Sequence, residues 1–411
     1  MPEYLKLQSL NDSKQLFWQH LADLRPGIEE IDSRNALGRV IAEDICSNEF
    51  LPAFTRSTVD GYAVQAASTH GASDSLPAYL DLVGEVPMGT ETTLVIQSGQ
   101  TALIHTGGML PPGADAVVMM EQTQTAANDV IEVLKPVTSG ENLVLKGEDV
   151  KPGEVVIPTG TLVRAAEIGG LLALGILRVK VTKKPRVAIL SSGDEVILPE
   201  QTPQPGQVRD INSDMLSALV KANGGISQTH PILPDQKDVL QQAIRKAYDD
   251  SDLVIVTAGS SASTRDMTSE VLNSMGSPGV LVHGINIKPG KPTILAVCDG
   301  KPMIGLPGNP VSALVIAHLI VKPLLERMTG FTHHNLVPVV TADLAVNLPS
   351  IAGRDEYFPV RLYRQDDHFI ADPIFYKSNL IYSLVRADGL VHIEPDSTGL
   401  IAGTIVEVTL F

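Results

Sequence analysis

The chain has 411 residues, a length typical of roughly two to four domains, and its 44% hydrophobic and 19% charged content allows a sizeable buried core. A formal net charge of −16 argues against nucleic acid and anionic membranes as partners, so any anion site must be a local basic pocket. The two cysteines, Cys46 and Cys298, lie far apart, which argues against a disulfide framework and fits a reducing cytosol.

The first 183 residues combine helical and β-type patterns. Apolar side chains recur at helical spacing over residues 8–25, without the pattern of a signal peptide, and we expect a cytoplasmic protein. Short β runs separated by Gly, Pro and Asn turns predict a small β-rich domain at 51–146. Residues 147–183 have no large core of their own. They are predicted to pack on residues 1–50 as one discontinuous, elongated domain of helical and β structure.

The second half of the chain changes in pattern at about residue 184. Residues 184–330 alternate apolar strands with helices, which predicts a parallel α/β sheet covered on both faces. One of these helices is expected to have Asn212 or Ser213 as its N-cap. Residues 331–411 show short strands without helical periodicity, which predicts a small β-barrel or sandwich. No stretch is long and apolar enough to predict a membrane span.

Three predicted strands of the α/β domain end in loops of small polar residues, at 191–196, 257–268 and 305–313. Ligands of open parallel sheets bind at the carboxyl ends of the strands, so these loops predict a ligand site. A single loop of this kind is more often an ordinary turn, but three at one edge favour a site. The loops lack the spacing of a nucleotide P-loop, of a dinucleotide-binding fingerprint and of a serine nucleophile elbow.

Charged residues in turns supply candidate binding groups. Lys288 and Lys291 flank a Pro-Gly turn and suit a phosphate or oxyanion, although by themselves two such lysines are more often a solvated hairpin tip. Carboxylates in Gly- or Pro-flanked loops suit Mg²⁺, although each alone is more often a turn or cap residue. These carboxylates are Asp60, Asp149, Glu195, Asp235 and Asp266. The ten histidines show no metal-binding spacing, so a histidine metal site is not expected.

Several long motifs, spread over nearly the whole chain, resemble those of one family. They include TRSTVDGYAV at 55–64, IHTGGMLPPGADAVVMMEQT at 104–123, GEDVKPGEVVIPTGTLV from Gly147, ILSSGDEV, INSDML, INIKPGKPT, GLPGNPVSA, GRDEYFPVRL and SLVRADGLVHIEP. In sequence and order they resemble the molybdopterin molybdenumtransferases, the family of MoeA and the gephyrin E-domain. The chain is identified on these motifs as a member of that family.

The resemblance implies an elongated homodimer of four-domain subunits with a C-terminal β-barrel. The α/β domain would be similar to molybdopterin adenylyltransferases, and the active site would lie between it and the small β domain of the other subunit. The implied reaction takes adenylylated molybdopterin and molybdate as substrates, uses Mg²⁺, and yields molybdenum cofactor and AMP. A molybdopterin adenylyltransferase and molybdoenzyme-loading proteins are the further partners that the family implies.

The resemblance also assigns roles by motif. It implies catalytic roles for Asp60, Asp149, Glu195, Asp235 and Asp266, of which the last three would also bind the metal. It implies substrate contacts for Thr106, Ser192, Gly193, Gly259, Ser260, Lys288, Lys291, Pro307, Gly308, Asn309, Arg354 and Ser378.

Two departures from the family pattern lie in the expected cleft. The 257–268 loop is shorter than usual, with serines where glycine is common, and Gly284 stands where some members have a lysine. Two alternatives therefore stay open: an enzyme that adenylylates molybdopterin, and a non-catalytic scaffold of the gephyrin type. The motifs outside the α/β domain argue against the first, and the retained cleft charges argue against the second. Whether molybdate or tungstate is preferred is not fixed by the sequence.

Overall fold

A computed structural model gives the fold and describes residues 7–258, 262–332 and 338–411, with the backbone alone for residues 262–265. These ranges form three six-stranded sheets and several two-stranded ribbons. None of the helices in them combines the length and the apolar character that crossing a bilayer requires.

The amino-terminal segment contains helix α1 (Leu10–His20) and strands β1 (Ile28–Asp32) and β2 (Ile45–Cys46). Ser9 caps α1, because its Oγ accepts a hydrogen bond from the Asp12 backbone N–H at 3.0 Å. Phe17 and Leu21 are buried in the main core of the α/β unit. Helix α1 thus adds a layer to that unit, although the predicted division assigns it to the elongated domain.

Residues 51–146 form the β-rich unit. Its strands are β3 (Arg56–Ser57), β4 (Gly61–Val64), β5 (Ala78–Glu85), β6 (Gln100–Ile104), β7 (Ala116–Met119), β8 (Thr123–Thr125), β9 (Val130–Val133) and β10 (Leu143–Val144). Six of them make one sheet in the order β7-β4-β6-β5-β9-β8, and β3 pairs with β10. Strand β4 pairs antiparallel with β6, and Gly61 is opposite Ile104. The loop that precedes β4 and the loop that follows β6 therefore lie side by side.

The next segment returns to the amino-terminal strands. It contains β11 (Val155–Ile157), helix α2 (Ala165–Ala173) and β12 (Arg178–Thr182). Strand β12 pairs antiparallel with β1, and β11 pairs antiparallel with β2. Ile41, Ile45, Ile157, Leu171 and Val181 share one small core. The two chain segments thus pack together, while the four-part division and its boundaries stay a prediction.

The α/β unit begins at residue 186. Its strands are β13 (Arg186–Ser191), β14 (Val196–Ile197), β15 (Val208–Arg209), β16 (Ile226–Thr229), β17 (Leu253–Ala258), β18 (Pro278–His283), β19 (Ile287–Lys288), β20 (Ile294–Cys298) and β21 (Lys301–Pro307). Its helices are α3 (Asn212–Ala222), α4 (Lys237–Asp250), α5 (Ala262–Asn273), α6 (Pro310–Ile316) and α7 (Lys322–Met328), the last two joined by a π-helical turn at Ala317–Val321.

The central sheet has the strand order β16-β13-β17-β21-β20-β18. Strands β16, β13, β17 and β21 are parallel, whereas β20 runs antiparallel to both of its neighbours, β21 and the edge strand β18. Helices α1, α3, α6 and α7 cover one face, and α4 and α5 cover the other. The predicted α/β sheet is therefore confirmed, with an antiparallel edge added. The chain passes from β13 to β16 on one side and then returns to β17 on the other side of β13, so the strand order reverses there and a crevice is expected at the carboxyl ends of β13 and β17.

The C-terminal segment closes into a barrel. Its elements are β22 (Val339–Leu344), β23 (Leu348–Pro349), β24 (Asp355–Gln365), β25 (His368–Pro373), helix α8 (Tyr382–Val385), β26 (Gly389–Ile393), β27 (Gly399–Leu400) and β28 (Ile405–Leu410). Five strands close in the order β24-β25-β22-β28-β26, because β26 also pairs with β24. Strand β19 of the α/β unit adds to β24 from outside. The barrel, rather than a sandwich, is the observed structure.

Candidate functional site

A hollow of about 330 Å³ lies at the carboxyl ends of β13, β17 and β21, which is the edge that the sequence predicted. We call it the smaller hollow. It is lined by Ser191, Ser192, Glu195, Val196, Val208, Arg209, Asp210, Ile211, Asn212, Thr257, Ala258, Gly308, Asn309, Pro310 and Asn379. All three small-residue loops therefore contribute to it, together with Asn379 from the C-terminal segment.

A chain of buried hydroxyls lies beneath the smaller hollow. Ser213 Oγ donates to Asp210 Oδ2 at 2.7 Å, and Ser191 Oγ lies 2.9 Å from Ser213 Oγ and 2.8 Å from Thr257 Oγ1. Asp210 also accepts from the backbone N–H groups of Asn212 and Ser213. Ile211 is the N-cap residue of helix α3, so the predicted capping by Asn212 or Ser213 is wrong, and the Asp210 side chain serves the first two backbone N–H groups. Asn212 and Ser213 both belong to the first turn of α3. The negative charge of Asp210 beside that turn is favourable, because the N-terminal end of a helix carries partial positive charge.

A second hollow, of about 470 Å³, adjoins the first. We call it the larger hollow. It is lined by Ile287, Lys288, Pro289, Gly290, Lys291, Pro292, Pro307, Gly308, Asn309, Ser312, Arg354, Tyr376, Lys377 and Ser378. Gly308 and Asn309 line both hollows, so the two form one continuous groove. The larger hollow collects four cationic side chains in a protein of net charge −16, which makes it the local basic pocket that an anion requires.

Contacts between the α/β unit and the barrel build the larger hollow. Asn309 Nδ2 donates to Ser378 Oγ at 3.1 Å, and the Val311 backbone N–H donates to Ser378 O at 3.1 Å. Burial raises the pKa of the Tyr376 phenol, and Tyr376 Oη donates to Tyr357 O at 3.1 Å. The groove therefore has one wall from each unit, held by direct hydrogen bonds.

A fully buried carboxylate, Glu356, lies behind two of the four cations. It forms ion pairs with Lys288 and with Arg354, and it accepts a hydrogen bond from Ser350 Oγ at 2.8 Å. Its side chain is 0% exposed, whereas those of Lys288 and Arg354 are 46% and 29% exposed. Lys291 and Lys377 form no ion pair within the described residues. Two cations are thus anchored, and two are available to a ligand.

A separate cluster surrounds Asp60 on the β-rich unit. Asp60 Oδ1 accepts hydrogen bonds from Thr106 N at 2.8 Å and Thr106 Oγ1 at 3.3 Å, and it lies 3.6 Å from His105 Nδ1. His105 Nε2 lies 2.9 Å from Glu85 Oε1. The backbone hydrogen bond from Thr106 is the main cause that lowers the pKa of Asp60, and the hydrogen bond to Glu85 is the main cause that raises the pKa of His105. The predicted residues Asp60 and Thr106 are therefore in direct contact.

The remaining predicted residues lie around the groove or away from it. Asp149 is exposed beside Leu51, whose carbonyl accepts its backbone N–H, and like Asp60 it is absent from the walls of both hollows. Gly193 and Asp235 lie on the loops beside the smaller hollow, and the Asp235 N–H donates to Asp194 Oδ1 at 3.2 Å. Asp266 lies on α5. Gly259 and Ser260 lie outside the described residues.

The carboxylates that the resemblance assigns to magnesium are of a suitable chemical type, but of the three only Glu195 lines the groove. Glu195 lines the smaller hollow, is exposed, and forms no ion pair within the described residues. Glu195, Asp235 and Asp266 offer hard oxygen atoms, which Mg²⁺ prefers, but they do not come together as a cluster of three. Mg²⁺ commonly uses one or two carboxylates with water and substrate phosphates, so the predicted set stays a prediction.

One group of side chains in the described ranges has a spacing that could hold a metal ion. It consists of Asp355, His392 and Glu394, whose ligand atoms lie within 4.8 Å of one another. His392 Nε2 lies 2.8 Å from Asp355 Oδ1, and His392 stacks on Tyr357 at 4.5 Å. Lys14 of α1 is close enough to Asp355 to interact with its charge. These side chains lie at the junction of α1 and the barrel.

Sequence reasoning missed Glu356, His105, Asn212 and Lys377. Glu356 stands two residues after Arg354, so strand alternation places both on one face, and this spacing was the available signal. For His105 the signal was its position directly before Thr106 in the same motif. Asn212 was interpreted as a helix cap only. The sequence carried no signal for Lys377 beyond its place beside Ser378.

Comparisons with known proteins agree along the chain. Residues 8–175 match the MoeA N-terminal region (domains I and II), residues 188–327 a probable molybdopterin binding domain, and residues 341–411 the MoeA C-terminal region (domain IV). A putative molybdopterin biosynthesis protein of Methanocaldococcus jannaschii is 34% identical over 417 residues, with 98% of each chain covered.

Two further relatives extend this likeness to a named activity and to a crystal structure. A molybdopterin molybdenumtransferase of Nostoc sp. is 34% identical over 332 residues, which cover 80% of this chain and 76% of the relative. The crystal structure of a molybdopterin biosynthesis MoeA protein from Pyrococcus horikoshii superposes with a TM-score of 0.85 and 33% identity, covering 99% of this chain and 100% of that one.

Proposed function

Because the chain belongs to the MoeA family, we propose that it is a molybdopterin molybdenumtransferase of molybdenum cofactor biosynthesis. In this proposal it takes adenylylated molybdopterin and molybdate, breaks the phosphoanhydride bond, and releases AMP and molybdenum cofactor. The dithiolene that receives the metal belongs to the substrate, so the protein needs no cysteine ligands. We place the activity in the cytoplasm, without nucleic acid or membrane partners.

The observation that supports this proposal most strongly is the continuous groove with two different halves. The larger hollow offers four cations, whereas the smaller hollow offers hydroxyl, amide and carboxylate oxygens. A substrate that joins anionic phosphates to a neutral heterocycle needs both kinds of surface. Because the protein is otherwise acidic, the cationic half is a specific feature and not part of a general basic surface.

The cations would act on the anionic groups. Lys288 and Arg354 are held in place by Glu356, and Lys291 is available from the turn after β19. Negative charge develops on the phosphoryl oxygens as the phosphoanhydride bond breaks. Cationic side chains that are already held in place stabilise this charge and lower the barrier, because no solvent has to reorganise during the reaction. Gly308 and Asn309 connect the hollows, and Ser378 forms the opposite wall. Pro307 ends β21 just before them.

Glu195, Asp235 and Asp266 are proposed to hold Mg²⁺, with Ser192, Gly193, Gly259 and Ser260 as substrate contacts. A bound Mg²⁺ would supply positive charge to the phosphoryl oxygens. Asp60, Thr106 and Asp149 do not line the groove of their own chain, and we propose that they serve the groove of a partner subunit in a homodimer. A molybdopterin adenylyltransferase would supply the substrate, and molybdoenzyme-loading proteins would take the product.

The first test is AMP release from adenylylated molybdopterin by the purified protein. We expect release that depends on molybdate and on Mg²⁺, and a parallel series with tungstate measures oxyanion preference. Lys291→Ala should raise the Michaelis constant by the equivalent of about 1–3 kcal/mol, because a charge-assisted hydrogen bond is lost. Lys246→Ala, on the exposed face of α4, is the matched control and should behave as the unaltered protein.

Absence of release with both oxyanions, from folded protein, would contradict the transferase. ATP-dependent transfer of AMP to molybdopterin would instead identify an adenylyltransferase. A dimer that binds molybdopterin without any turnover would indicate a scaffold. None of the described contacts favours either of these alternatives over the transferase.

A further inference from the structure

Four side chains form a square on one face of the paired barrel strands β24 and β26. Tyr357 is opposite His392 in the antiparallel register. Two residues further along each strand direction, the same register places Asp355 opposite Glu394, the residue that follows β26. Because side chains two residues apart on a strand share a face, all four lie on the same side of the sheet.

Three of these side chains carry atoms that bind metal ions. One ligand atom from each of Asp355, His392 and Glu394 lies within 4.8 Å of the other two. His392 Nε2 lies 2.8 Å from Asp355 Oδ1, and His392 Nδ1 lies 3.6 Å from Glu394 Oε1. Ligand atoms around a tetrahedral ion with bonds of about 2.1 Å are about 3.4 Å apart, so small side-chain rotations bring one ring nitrogen and both carboxylates around one ion.

The fourth side chain of the square, Tyr357, holds the His392 ring. The two rings stack with their centroids 4.5 Å apart and an interplanar angle of 10°. Tyr357 packs against the main core of the α/β unit, and its backbone carbonyl accepts a hydrogen bond from Tyr376 Oη at 3.1 Å. A metal site needs ligands that are oriented before the ion binds, and a ring stacked on an anchored tyrosine meets that need.

The exposure of the three ligands allows an ion to enter from solvent. The Asp355 side chain is 11% exposed, that of His392 is 32% exposed and that of Glu394 is 71% exposed. Asp355 is thus a fixed carboxylate at the base of the cluster, whereas Glu394 can move to close over an ion. Three protein ligands also leave a fourth position for water.

The surrounding charges favour a cation, and the cluster is separate from the groove. Two carboxylates give a charge of −2, of which Lys14 of α1, whose charge interacts with Asp355, offsets one unit. Asp355 and Glu356 are neighbours on β24, so their side chains lie on opposite faces of the strand. Glu356 anchors the cations of the larger hollow, and the cluster therefore lies on the other face.

We propose that Asp355, His392 and Glu394 bind a divalent transition-metal ion of the Zn²⁺ type, which fastens β24 to β26 at the junction of the barrel with α1. An imidazole with two carboxylates suits Zn²⁺, whereas Mg²⁺ takes oxygen ligands. The role of the ion is structural and is independent of the proposed reaction. Local spacing carries no signal for this site, because Asp355 and His392 lie 37 positions apart along the chain.

The test adds Zn²⁺ alone to metal-free protein that carries no affinity tag. Calorimetric titration should show one equivalent of Zn²⁺ binding that His392→Ala and Glu394→Gln each weaken by about tenfold or more. Zn²⁺ should raise the melting temperature of the unaltered protein but not that of Glu394→Gln. Without Zn²⁺ these two proteins should melt alike, because Glu394 is exposed. Mg²⁺ at the same concentration should not compete.

Two further variants separate a built site from loose binding at the surface. His105→Ala is the matched control, since it also removes an imidazole beside two carboxylates, Asp60 and Glu85, and it should bind Zn²⁺ normally. Lys14→Met should strengthen Zn²⁺ binding, because it removes a positive charge that interacts with Asp355. Damage to the fold would change the affinity in the opposite direction.

The metal site is refuted if the unaltered protein binds no equivalent of Zn²⁺, or if His392→Ala and Glu394→Gln bind it equally well. A proton on His392, and not a metal ion, would then join the two carboxylates. Weaker Zn²⁺ binding by Lys14→Met, or displacement of Zn²⁺ by an equal concentration of Mg²⁺, would also refute it. None of these outcomes involves AMP release, so they leave the proposed transferase untouched.

Discussion

His105 is flanked by two carboxylates on the β-rich unit. Its Nε2 lies 2.9 Å from Glu85 and its Nδ1 lies 3.6 Å from Asp60. The hydrogen bond to Glu85 is the main cause of a raised pKa for His105, and the backbone of Thr106 is the main cause of a lowered pKa for Asp60. Between these two pKa values the His105 imidazolium lies beside the ionised Asp60 carboxylate. Asp60 is therefore presented as an anion with a proton donor beside it.

The pH dependence of folding stability has a defined sign for each of the two groups. A raised pKa means that folded protein binds the His105 proton more tightly than unfolded protein, so the stabilisation is present at low pH and is lost as the pH rises through that pKa. For Asp60, whose pKa is lowered, the stabilisation is present above its unfolded pKa and is lost as the pH falls through its folded value. All three side chains are well exposed, so the effect should be seen in titration rather than in stability.

We predict that NMR titration will show His105 with a pKa above the usual histidine value. Glu85→Gln should lower it, because the main hydrogen-bond acceptor loses its charge. His318 is the internal control: burial, with a smaller effect from Lys322, lowers its pKa to about 4, and Glu85→Gln should not change it. A His105 pKa at or below the usual value, or one insensitive to Glu85→Gln, would contradict the cluster.

At the scale of elements, the pairing of β19 with β24 joins the α/β unit to the barrel. Ile287 is opposite Asp355, and Lys288 is opposite Glu356. Because neighbouring side chains of a strand alternate, Glu356 is directed to the same side as its partner Lys288. The register of two short segments therefore decides which carboxylate anchors the cations of the larger hollow.

We predict that Glu356→Gln lowers the free energy of unfolding by about 1–3 kcal/mol, because buried hydrogen bonds to a charged acceptor are weakened. The loss should be below that for a wholly buried ion pair, since Lys288 and Arg354 are partly exposed and can turn to water. Glu394→Gln, whose side chain is 71% exposed, should stay within about 0.5 kcal/mol.

Calorimetric unfolding of both variants measures this difference, and the Michaelis constant for the adenylylated substrate should rise in Glu356→Gln alone. Equal stability of Glu356→Gln and Glu394→Gln would show that the buried carboxylate does not anchor the two units.

At the scale of the whole molecule, the candidate residues fall into two sets. One set lines the groove between the α/β unit and the barrel, and the other surrounds Asp60 on the β-rich unit. Asp60 and Asp149 line neither hollow of their own chain. If both sets act in one reaction, a second copy of the chain has to bring them together.

We predict that Asp60→Asn and Lys291→Ala are each poorly active alone and that coexpressed mixtures regain part of the activity. In a mixed dimer, one groove would combine an intact cationic wall with an intact Asp60 from the other subunit. The matched control mixes Lys291→Ala with Arg354→Ala, which alter the same wall and should give no recovery. A monomer in sedimentation, or equal recovery in both mixtures, would contradict a shared site.

The sequence by itself determined the α/β sheet, the edge at which its three small-residue loops meet and the turn that carries Lys288 and Lys291. These features follow from local patterns: side-chain periodicity distinguishes helix from strand, and small polar residues mark the ends of strands. Family motifs likewise depend on short segments. The family motifs predicted only that Asp60 and Thr106 belong to the same site. Their 2.8 Å hydrogen bond depends on the pairing of β4 with β6, which the motifs do not specify.

Only the tertiary structure decided which side chains complete the groove. Glu356 lies 68 positions from Lys288 along the chain, and Asn212 lies 96 positions from Gly308. No local pattern encodes contacts over such separations, because they depend on how whole elements pack. The same reason applies to α1, whose apolar stripe predicted burial without identifying the α/β core as its partner. It applies equally to the barrel, which is closed by the pairing of β26 with β24.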